Sequence, residues 1–176
     1  MPAARGSALV YLLPQETARA VDVWRQRYDP YFPYIPPHVS ITYPPFVTEL
    51  DWERLRPLVT DCLKGVKAFD ALLATTGVFT VPQKVLWLRP EDHGNFAAIH
   101  NLLERTFPAQ VPASPLGYVP HVTLGFFDTL EALESIRANV MSAWQPQRIT
   151  VGQLVLLQNV SEDEWMARDY IDLATT

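Results

Sequence analysis

Two five-residue segments of this sequence repeat one order of residue types, and each contains a histidine in second place. The segment 37–41 (PHVSI) recurs as 120–124 (PHVTL). The chain has only four histidines, so half of them lie in this matched pair. A repeat of this kind constrains the chain to form two equivalent local structures, and we predict that it arose by internal duplication.

The spacing within each segment predicts a strand with one polar and one apolar face. Side chains alternate between the two faces of an extended strand. His38 and Ser40 therefore share one face, while the aliphatic residues between and after them take the other. His121 and Thr123 are spaced in the same way. Each segment is thus predicted to be anchored in a core and to present an imidazole and a hydroxyl on its other face.

The remaining pattern predicts a repeated α/β unit, in the order β-α-β-α-β and then β-α-β-α-β-β. Apolar runs of strand length and apolar residues at helical spacing support these elements. Thr48 or Asp51 is predicted to cap the second helix, and Asp128 or Thr129 the fourth. The predicted strands cover 8–13, 38–43, 66–80, 85–88, 121–127, 148–157 and 165–173, and the helices cover 16–28, 52–64, 95–106 and a segment ending near 143.

Two proline-containing loops, 29–37 and 108–120, lead directly into the two histidine segments. Proline fixes φ and removes a hydrogen-bond donor, so these stretches are predicted to be stiff and irregular. We expect the first of these loops, 29–37, to be a wall of a cleft where the sheets of the two halves meet.

Composition limits the classes of function that the chain can serve. Hydrophobic residues make up 48% of the 176 residues and charged residues 19%, which is typical of a globular domain. A net charge of -5 argues against a general binder of long nucleic acids and leaves open a small or terminal nucleotide. The single cysteine, Cys62, excludes an intramolecular disulfide and a cysteine-based metal site, and it is expected in the core of its helix. No segment has the pattern of a signal peptide or the length of a membrane span, so we expect a cytoplasmic protein without membrane contact.

Two histidines with two hydroxyls suit acid–base chemistry on a phosphate ester. Imidazole has an unperturbed pKa of about 6.5, so one ring can be neutral and the other protonated near pH 7. The neutral ring would take a proton from the attacking water or hydroxyl, and the protonated ring would give one to the leaving oxygen. Ser40 and Thr123 would donate hydrogen bonds to the non-bridging phosphate oxygens. This scheme needs no metal and no cofactor.

The paired segments resemble the motifs of the 2H (two-histidine) phosphoesterase superfamily, which includes 2'-5' RNA ligase-like proteins and 2',3'-cyclic nucleotide phosphodiesterases. The stretch 38–46 (HVSITYPPF) is most similar to small bacterial members described as 2'-5' RNA ligase-like. The resemblance implies that His38 and His121 are the catalytic pair. It also implies that Ser40 and Thr123 are phosphate ligands, although the first motif has Ser where many members have Thr.

The same resemblance implies the fold class and the substrates. It implies an α+β fold in which residues 1–176 form a single bilobal domain, with two pseudo-symmetric lobes and antiparallel-rich sheets around a central cleft. The partners that it implies are RNA ends or small cyclic nucleotides, bound by a monomer.

Residues outside the two motifs have simpler interpretations. His93 lies in a predicted turn and is expected at the surface, and His100 in the third helix is expected to be structural. No short ligand spacing supports a metal site formed by the histidines. Tyr43 and Tyr118 are the aromatic residues that we single out as candidates for stacking on a nucleobase. The acidic run 161–164 is predicted to be a solvated turn.

Three functions remain compatible with the sequence. The first is metal-independent hydrolysis of a 2',3'-cyclic phosphate, and the low basic charge favours it. The second is the reverse reaction, which would join RNA ends through a 2'-5' linkage. The third is a module that binds nucleotides or RNA ends without catalysis, although binding alone would not need a matched acid and base.

Overall fold

The elements follow the predicted alternation of strands and helices, with one difference near the C-terminus. The computed structural model describes residues 6–161 and 164–175. Two stretches covered by the sequence predictions lie partly outside these residues. They are the N-terminal segment, in which no signal peptide is predicted, and the acidic run 161–164. The strands are β1 (Ser7–Leu12), β2 (His38–Ser40), β3 (Phe69–Phe79), β4 (Lys84–Glu91), β5 (Val122–Phe127), β6 (Gln147–Val151), β7 (Gln153–Asn159) and β8 (Trp165–Asp172), and the helices are α1 (Gln15–Tyr28), α2 (Glu49–Leu63), α3 (Asn95–Thr106) and α4 (Leu130–Ala143).

The strands form two antiparallel sheets of four strands each. The first sheet has the order β2-β1-β7-β8 and the second β5-β4-β3-β6. The two motif strands, β2 and β5, are both edge strands, and they contact each other where the sheets meet. The predicted α+β class with antiparallel sheets is confirmed.

The predicted single strand over 148–157 was wrong, because the chain changes sheets at Gly152. The segment before Gly152 is β6, which pairs with β3 in the second sheet. The segment after it is β7, which pairs with β1 in the first sheet. The sheets therefore do not coincide with the two halves of the sequence: β3 from the first half lies in the second sheet, and β7 from the second half lies in the first.

One continuous hydrophobic core contains buried residues from both sheets and from all four helices. Strand β1 is buried on both faces, as its unbroken apolar run predicts. Leu9 and Tyr11 join the main core, whereas Ala8 and Val10 join a smaller cluster on the opposite face of the sheet. That smaller cluster lies beneath the side of β2 that carries the motif residues, since Val10 pairs with Ser40.

Threonine side chains cap two of the helices. Thr48 accepts the Asp51 backbone N–H at 3.1 Å, and Thr129 accepts the Ala132 N–H at 3.1 Å, which decides both predicted pairs in favour of threonine. The cap at Thr48 starts α2 three residues earlier than predicted. Leu58, which was predicted on the apolar face of α2, is exposed. The buried residues of this helix are Trp52, Leu55, Val59 and Leu63.

Helix α1 packs against β5, the motif strand of the second sheet, rather than only against its own half of the sequence. Contact is close at Gly125, where an added Cβ would lie 2.4 Å from Tyr28 Cβ and 2.9 Å from the Tyr28 carbonyl oxygen. Only glycine fits this approach. The end of α1 and the loop 29–37 that follows it are thereby brought to the second motif. None of the helices in the described ranges is long and apolar enough to cross a membrane.

Candidate active site

The two motif histidines are held by their backbones in the same way. His38 Nδ1 lies 2.8 Å from the Pro36 carbonyl oxygen, and His121 Nδ1 lies 2.8 Å from the Val119 carbonyl oxygen. A carbonyl oxygen only accepts, so each Nδ1 carries a hydrogen and donates it. In the neutral rings, Nε2 therefore has a free lone pair. The two imidazoles have matched orientations and the same atom available for proton exchange.

The alternation predicted for the two segments is confirmed. The side chains of His38, Ser40, His121 and Thr123 are half-buried. On β5, Thr123 pairs with Trp87 of the neighbouring strand. The aliphatic residues of the two segments are buried in the main core, at 0 to 1% exposure; they are Val39, Ile41, Val122 and Leu124.

Each motif histidine lines a cavity of its own. His38 and Thr123 line a cavity of about 190 Å³, which we call the His38-side cavity. The His121-side cavity has a volume of about 560 Å³. Phe79 and Trp87 pack on the His121 imidazole, with ring centroids 5.0 and 5.9 Å away. The structure thus brings a hydroxyl of the second motif beside the histidine of the first, while Ser40 lies on β2 outside both linings.

Burial makes both imidazoles poor bases compared with a histidine in water. It lowers the pKa of His38 to about 4, and the charges of Arg25 and His121 act in the same direction. Burial also lowers the pKa of His121. Both shifts favour the neutral form near pH 7, and a protonated His121 would lower the pKa of His38 further.

Arg25 of α1 is 2% exposed and lines the His38-side cavity. Its Nε donates to the Asp29 carboxylate at 2.8 Å and its Nη1 to Asp22 at 3.0 Å. Its Nη2 donates to the Ile35 carbonyl at 2.8 Å. The sequence did hold a signal, since the two aspartates lie three residues before and four residues after the arginine.

The loop 29–37 is a wall of the cleft, as predicted. Tyr31 and Tyr34 line the His38-side cavity. Tyr31 packs edge-on against Phe126 of β5, with ring centroids 5.5 Å apart. The Trp165 N–H of β8 donates to the Tyr34 carbonyl at 2.9 Å. Phe126 and Trp165 also line this cavity, and neither was predicted as a site residue.

Tyr118 connects the second loop to the first motif. Its hydroxyl donates to the Ser40 carbonyl at 2.7 Å. Its ring stacks on His100, with centroids 4.1 Å apart and planes 6° from parallel. His100 is buried, and its Nδ1 lies 2.7 Å from the Ile41 carbonyl, which confirms a structural role. One face of the Tyr118 ring is thus covered by His100 and is closed to a nucleobase.

Tyr43 remains the exposed aromatic candidate. It is 41% exposed and lines the His121-side cavity. His93 is exposed in the turn before α3, as predicted, and Cys62 is half-buried against the main core. Among the described residues, no group of three or more histidine, cysteine or acidic side chains is placed to hold a metal ion.

The sequence and the fold both match a known family. Residues 13–163 match the model of the 2'-5' RNA ligase superfamily. The chain belongs to this superfamily. Its membership confirms the resemblance to two-histidine phosphoesterases, and the chain is an enzyme of that class.

Curated relatives of this superfamily member carry phosphoesterase names. A protein of Staphylococcus aureus (strain Newman), named "Putative phosphoesterase", is 24% identical over 166 residues, which span 93% of this chain and 96% of the relative. A protein of Halalkalibacterium halodurans with the same designation is 28% identical over 102 residues, and that alignment spans only 58% of each chain.

Solved structures share the fold at low sequence identity. TT0787 of Thermus thermophilus superposes with a TM-score of 0.69 at 16% identity, covering 97% of this chain and 98% of that one. LigT of E. coli in complex with 3'-AMP superposes with a TM-score of 0.66 at 15% identity, covering 97% and 99%. These similarities establish the architecture of this superfamily member.

Proposed function

We propose that this enzyme hydrolyses 2',3'-cyclic phosphates of RNA ends or small nucleotides by acid–base catalysis between His38 and His121. The observation that carries the proposal is the matched pair of imidazoles. Both have Nδ1 fixed on a backbone carbonyl, which leaves Nε2 free to exchange a proton, and Thr123 lines the cavity of His38.

In the proposed reaction, one neutral imidazole takes a proton from a water molecule through its Nε2. The water oxygen forms a bond to phosphorus, and the bond from phosphorus to one ribose oxygen breaks. The second imidazole, protonated, gives its Nε2 proton to that leaving oxygen. The product is a ribose with one phosphomonoester and one free hydroxyl, and the two histidines have exchanged their protonation states.

The hydroxyls of the two motifs are proposed to hold the phosphate. Thr123 lines the cavity of His38, which supports its role as a donor to a non-bridging oxygen beside that ring. Ser40 is assigned the equivalent role beside His121 because the two motifs match in sequence. Among the relatives of similar fold, LigT structures have been solved with phosphate and with 3'-AMP, ligands of the proposed chemical class.

The family name raises ligation, the reverse reaction, as a second candidate. Ligation requires two RNA ends to be held at once, and phosphate contacts by cations dominate such binding. Of the described residues that line the two cavities, only Arg25 is a cation, and it is paired with Asp29 and Asp22. The acidic net charge of -5 adds to this deficit. We therefore propose hydrolysis as the stronger activity.

The test is turnover of a nucleoside 2',3'-cyclic phosphate in excess EDTA. We expect hydrolysis by the unmodified protein and a decrease in kcat/KM of about 10²–10⁴-fold in His38→Ala and in His121→Ala, the usual contribution of a general acid or base. His93→Ala, which changes an exposed histidine, is the matched control and should retain activity. Equal turnover by all three variants would contradict the proposal, and a ligation assay with paired RNA halves separates the second candidate.

A further inference from the structure

Trp87 of β4 is a buried tryptophan that lies outside the hydrophobic core. It is 3% exposed, and its neighbours Leu86 and Leu88 belong to the main core, whereas neither cluster of described residues includes Trp87. Side chains alternate along a strand, so Trp87 lies on the face of the second sheet that carries the second motif. In agreement, it pairs with Thr123, and His121 lies on the same side two residues earlier. The ring is therefore buried by residues of the site and not by the core.

The Trp87 indole is held by three neighbours besides the histidine. It lies directly on Gly77 of β3, where an added Cβ would be 2.2 Å from Trp87 Cη2. The Phe79 ring packs on it with centroids 5.0 Å apart, and the Arg89 guanidinium lies 5.4 Å from its centroid. The His121 imidazole rests against this held ring, with centroids 5.9 Å apart.

The indole N–H has no partner, although it is buried. Among the described residues, Trp87 Nε1 is the buried side-chain nitrogen or oxygen without a hydrogen bond. An unpaired buried donor destabilises a fold, and such donors are rare in native proteins. A phenyl ring would avoid this cost, but it is smaller and would leave space between the backbone of β3 and the imidazole. Contact with His121 is a role that requires the larger ring.

Packing on the His121 ring completes what its hydrogen bond begins. The bond from Nδ1 to the Val119 carbonyl at 2.8 Å fixes one ring atom, but the ring can still tilt about that bond. Such a tilt would move Nε2, which must lie about 2.6–3.2 Å from the oxygen with which it exchanges a proton. A displacement of about 1 Å costs up to roughly 100-fold in rate. Contacts with Phe79 and Trp87 oppose this tilt.

We propose that Trp87 is a positioning residue for the reaction, because its indole holds the His121 imidazole in the orientation that proton transfer requires. The inference rests on the proposed function of His121. Trp87 is not among the described residues that line either cavity, so it acts through His121 and not by contact with the substrate. Phe79 contacts the same imidazole but also lines the His121-side cavity, so its substitution would combine two effects.

Steady-state kinetics with a nucleoside 2',3'-cyclic phosphate test the proposal in Trp87→Leu and Trp87→Phe. We expect kcat to fall about 10- to 100-fold in Trp87→Leu and about 3- to 10-fold in Trp87→Phe, while KM changes by less than about twofold. Trp87→Phe provides the test if Trp87→Leu does not fold. Unchanged kcat in the folded variants, or a change confined to KM, overturns the proposal.

Two controls separate positioning from general stability. Trp52→Phe changes another buried tryptophan and removes its hydrogen bond to Asp169, so it should lower Tm but leave kcat unchanged where the protein is folded. Gly77→Ala keeps Trp87 but displaces its ring, and it should lower kcat. Gly65→Ala, whose Cβ would meet nothing within 4 Å, should not. Equal losses of kcat in Trp52→Phe and Trp87→Phe would overturn the proposal.

A measurement on the imidazole itself separates failure of the positioning role from failure of the proposed reaction. Carbon-13 relaxation reports the ps–ns motion of the His121 and His38 rings, which are assigned by comparison with the two His→Ala variants. In Trp87→Leu, or in Trp87→Phe if that variant alone folds, we expect a lower order parameter for His121 and an unchanged one for His38. If this is seen without turnover of any substrate, the positioning role stands and the hydrolysis proposal fails. An unchanged order parameter for His121 overturns the positioning role whatever the turnover.

Discussion

Each neutral motif imidazole can accept a proton at Nε2. The proposed reaction also requires that one of the two rings is already protonated when the substrate is bound. In the free protein burial lowers the pKa of both rings, to about 4 for His38. A phosphate anion placed between them favours the protonated form and raises the pKa of whichever ring it contacts. We therefore expect one of the two imidazoles to become protonated when the substrate binds, so that binding is accompanied by uptake of a proton.

This difference between free and bound protein predicts two distinct pH profiles. The ring that acts as acid must be protonated, and its pKa in the free protein lies below 6.5, so the protonated fraction falls about tenfold for each pH unit above that pKa. We expect kcat/KM, which reports the free protein, to fall about tenfold between pH 7 and pH 8. The alkaline limb of kcat, which reports the complex, should lie at higher pH. A kcat/KM that is constant from pH 7 to pH 8 would contradict the lowered pKa values of the two rings.

At the scale of elements, the loop 29–37 is fixed at both of its ends by one side chain of α1. Arg25 binds the Asp29 carboxylate where the loop begins and the Ile35 carbonyl near its end. Asp29 also accepts the Tyr31 backbone N–H at 2.9 Å. The next residue after Ile35 is Pro36, whose carbonyl orients His38. The ion pair thus acts on the site through the loop.

Removal of Asp29 should be costly because Arg25 would remain buried with only one carboxylate. For Asp29→Ala we expect the free energy of unfolding to fall by about 3–5 kcal/mol, the usual effect of breaking a buried ion pair. Arg54→Ala, which breaks an exposed pair with Asp51 on α2, should change it by no more than about 1 kcal/mol. Urea unfolding of the two variants measures the difference. If the two variants were equally stable, the charge of Arg25 would be sufficiently compensated by water or by Asp22 alone.

The hydroxyl of Tyr118 provides a second connection between a loop and a motif strand. Tyr118→Phe keeps the ring stacked on His100 but removes the hydrogen bond to the Ser40 carbonyl. We expect a loss of about 0.5–1.5 kcal/mol in stability and a decrease in kcat/KM at a temperature where the variant is fully folded. Tyr170→Phe, on an exposed ring of β8, is the control and should change neither quantity. If kcat/KM is unchanged in Tyr118→Phe, the position of Ser40 does not depend on this bond.

At the scale of the whole molecule, the sequence predicts features that depend on neighbouring residues, such as strand faces and helix caps. It does not predict strand pairing or burial that depends on residues far away in the chain. The faces of His38 and His121 followed from strand alternation, and Thr48 and Thr129 were among the residues predicted to cap α2 and α4. The change of sheet at Gly152 was missed because strand pairing depends on β1 and β3, which are far away in the sequence. The burial of Arg25 was missed because a helical pattern alone does not show that Ile35 folds back to cover it.

The contact between α1 and β5 crosses from one half of the sequence to the other, and it is the place where the molecule should be most sensitive to added volume. In Gly125→Ala the new Cβ would lie 2.4 Å from Tyr28 Cβ and 2.9 Å from the Tyr28 carbonyl oxygen. Helix and strand would have to separate, with a cost of about 1–3 kcal/mol and a decrease in Tm of about 2–4 °C for each kcal/mol. Thr123, two residues away on the same strand, should move with it and lower kcat/KM. Gly152→Ala is the matched control, since its Cβ would meet only Ala68 Cβ at 3.9 Å. Equal Tm values for the two alanine variants would show that α1 can shift from β5 without cost, and the two motifs would then not be held together by this contact.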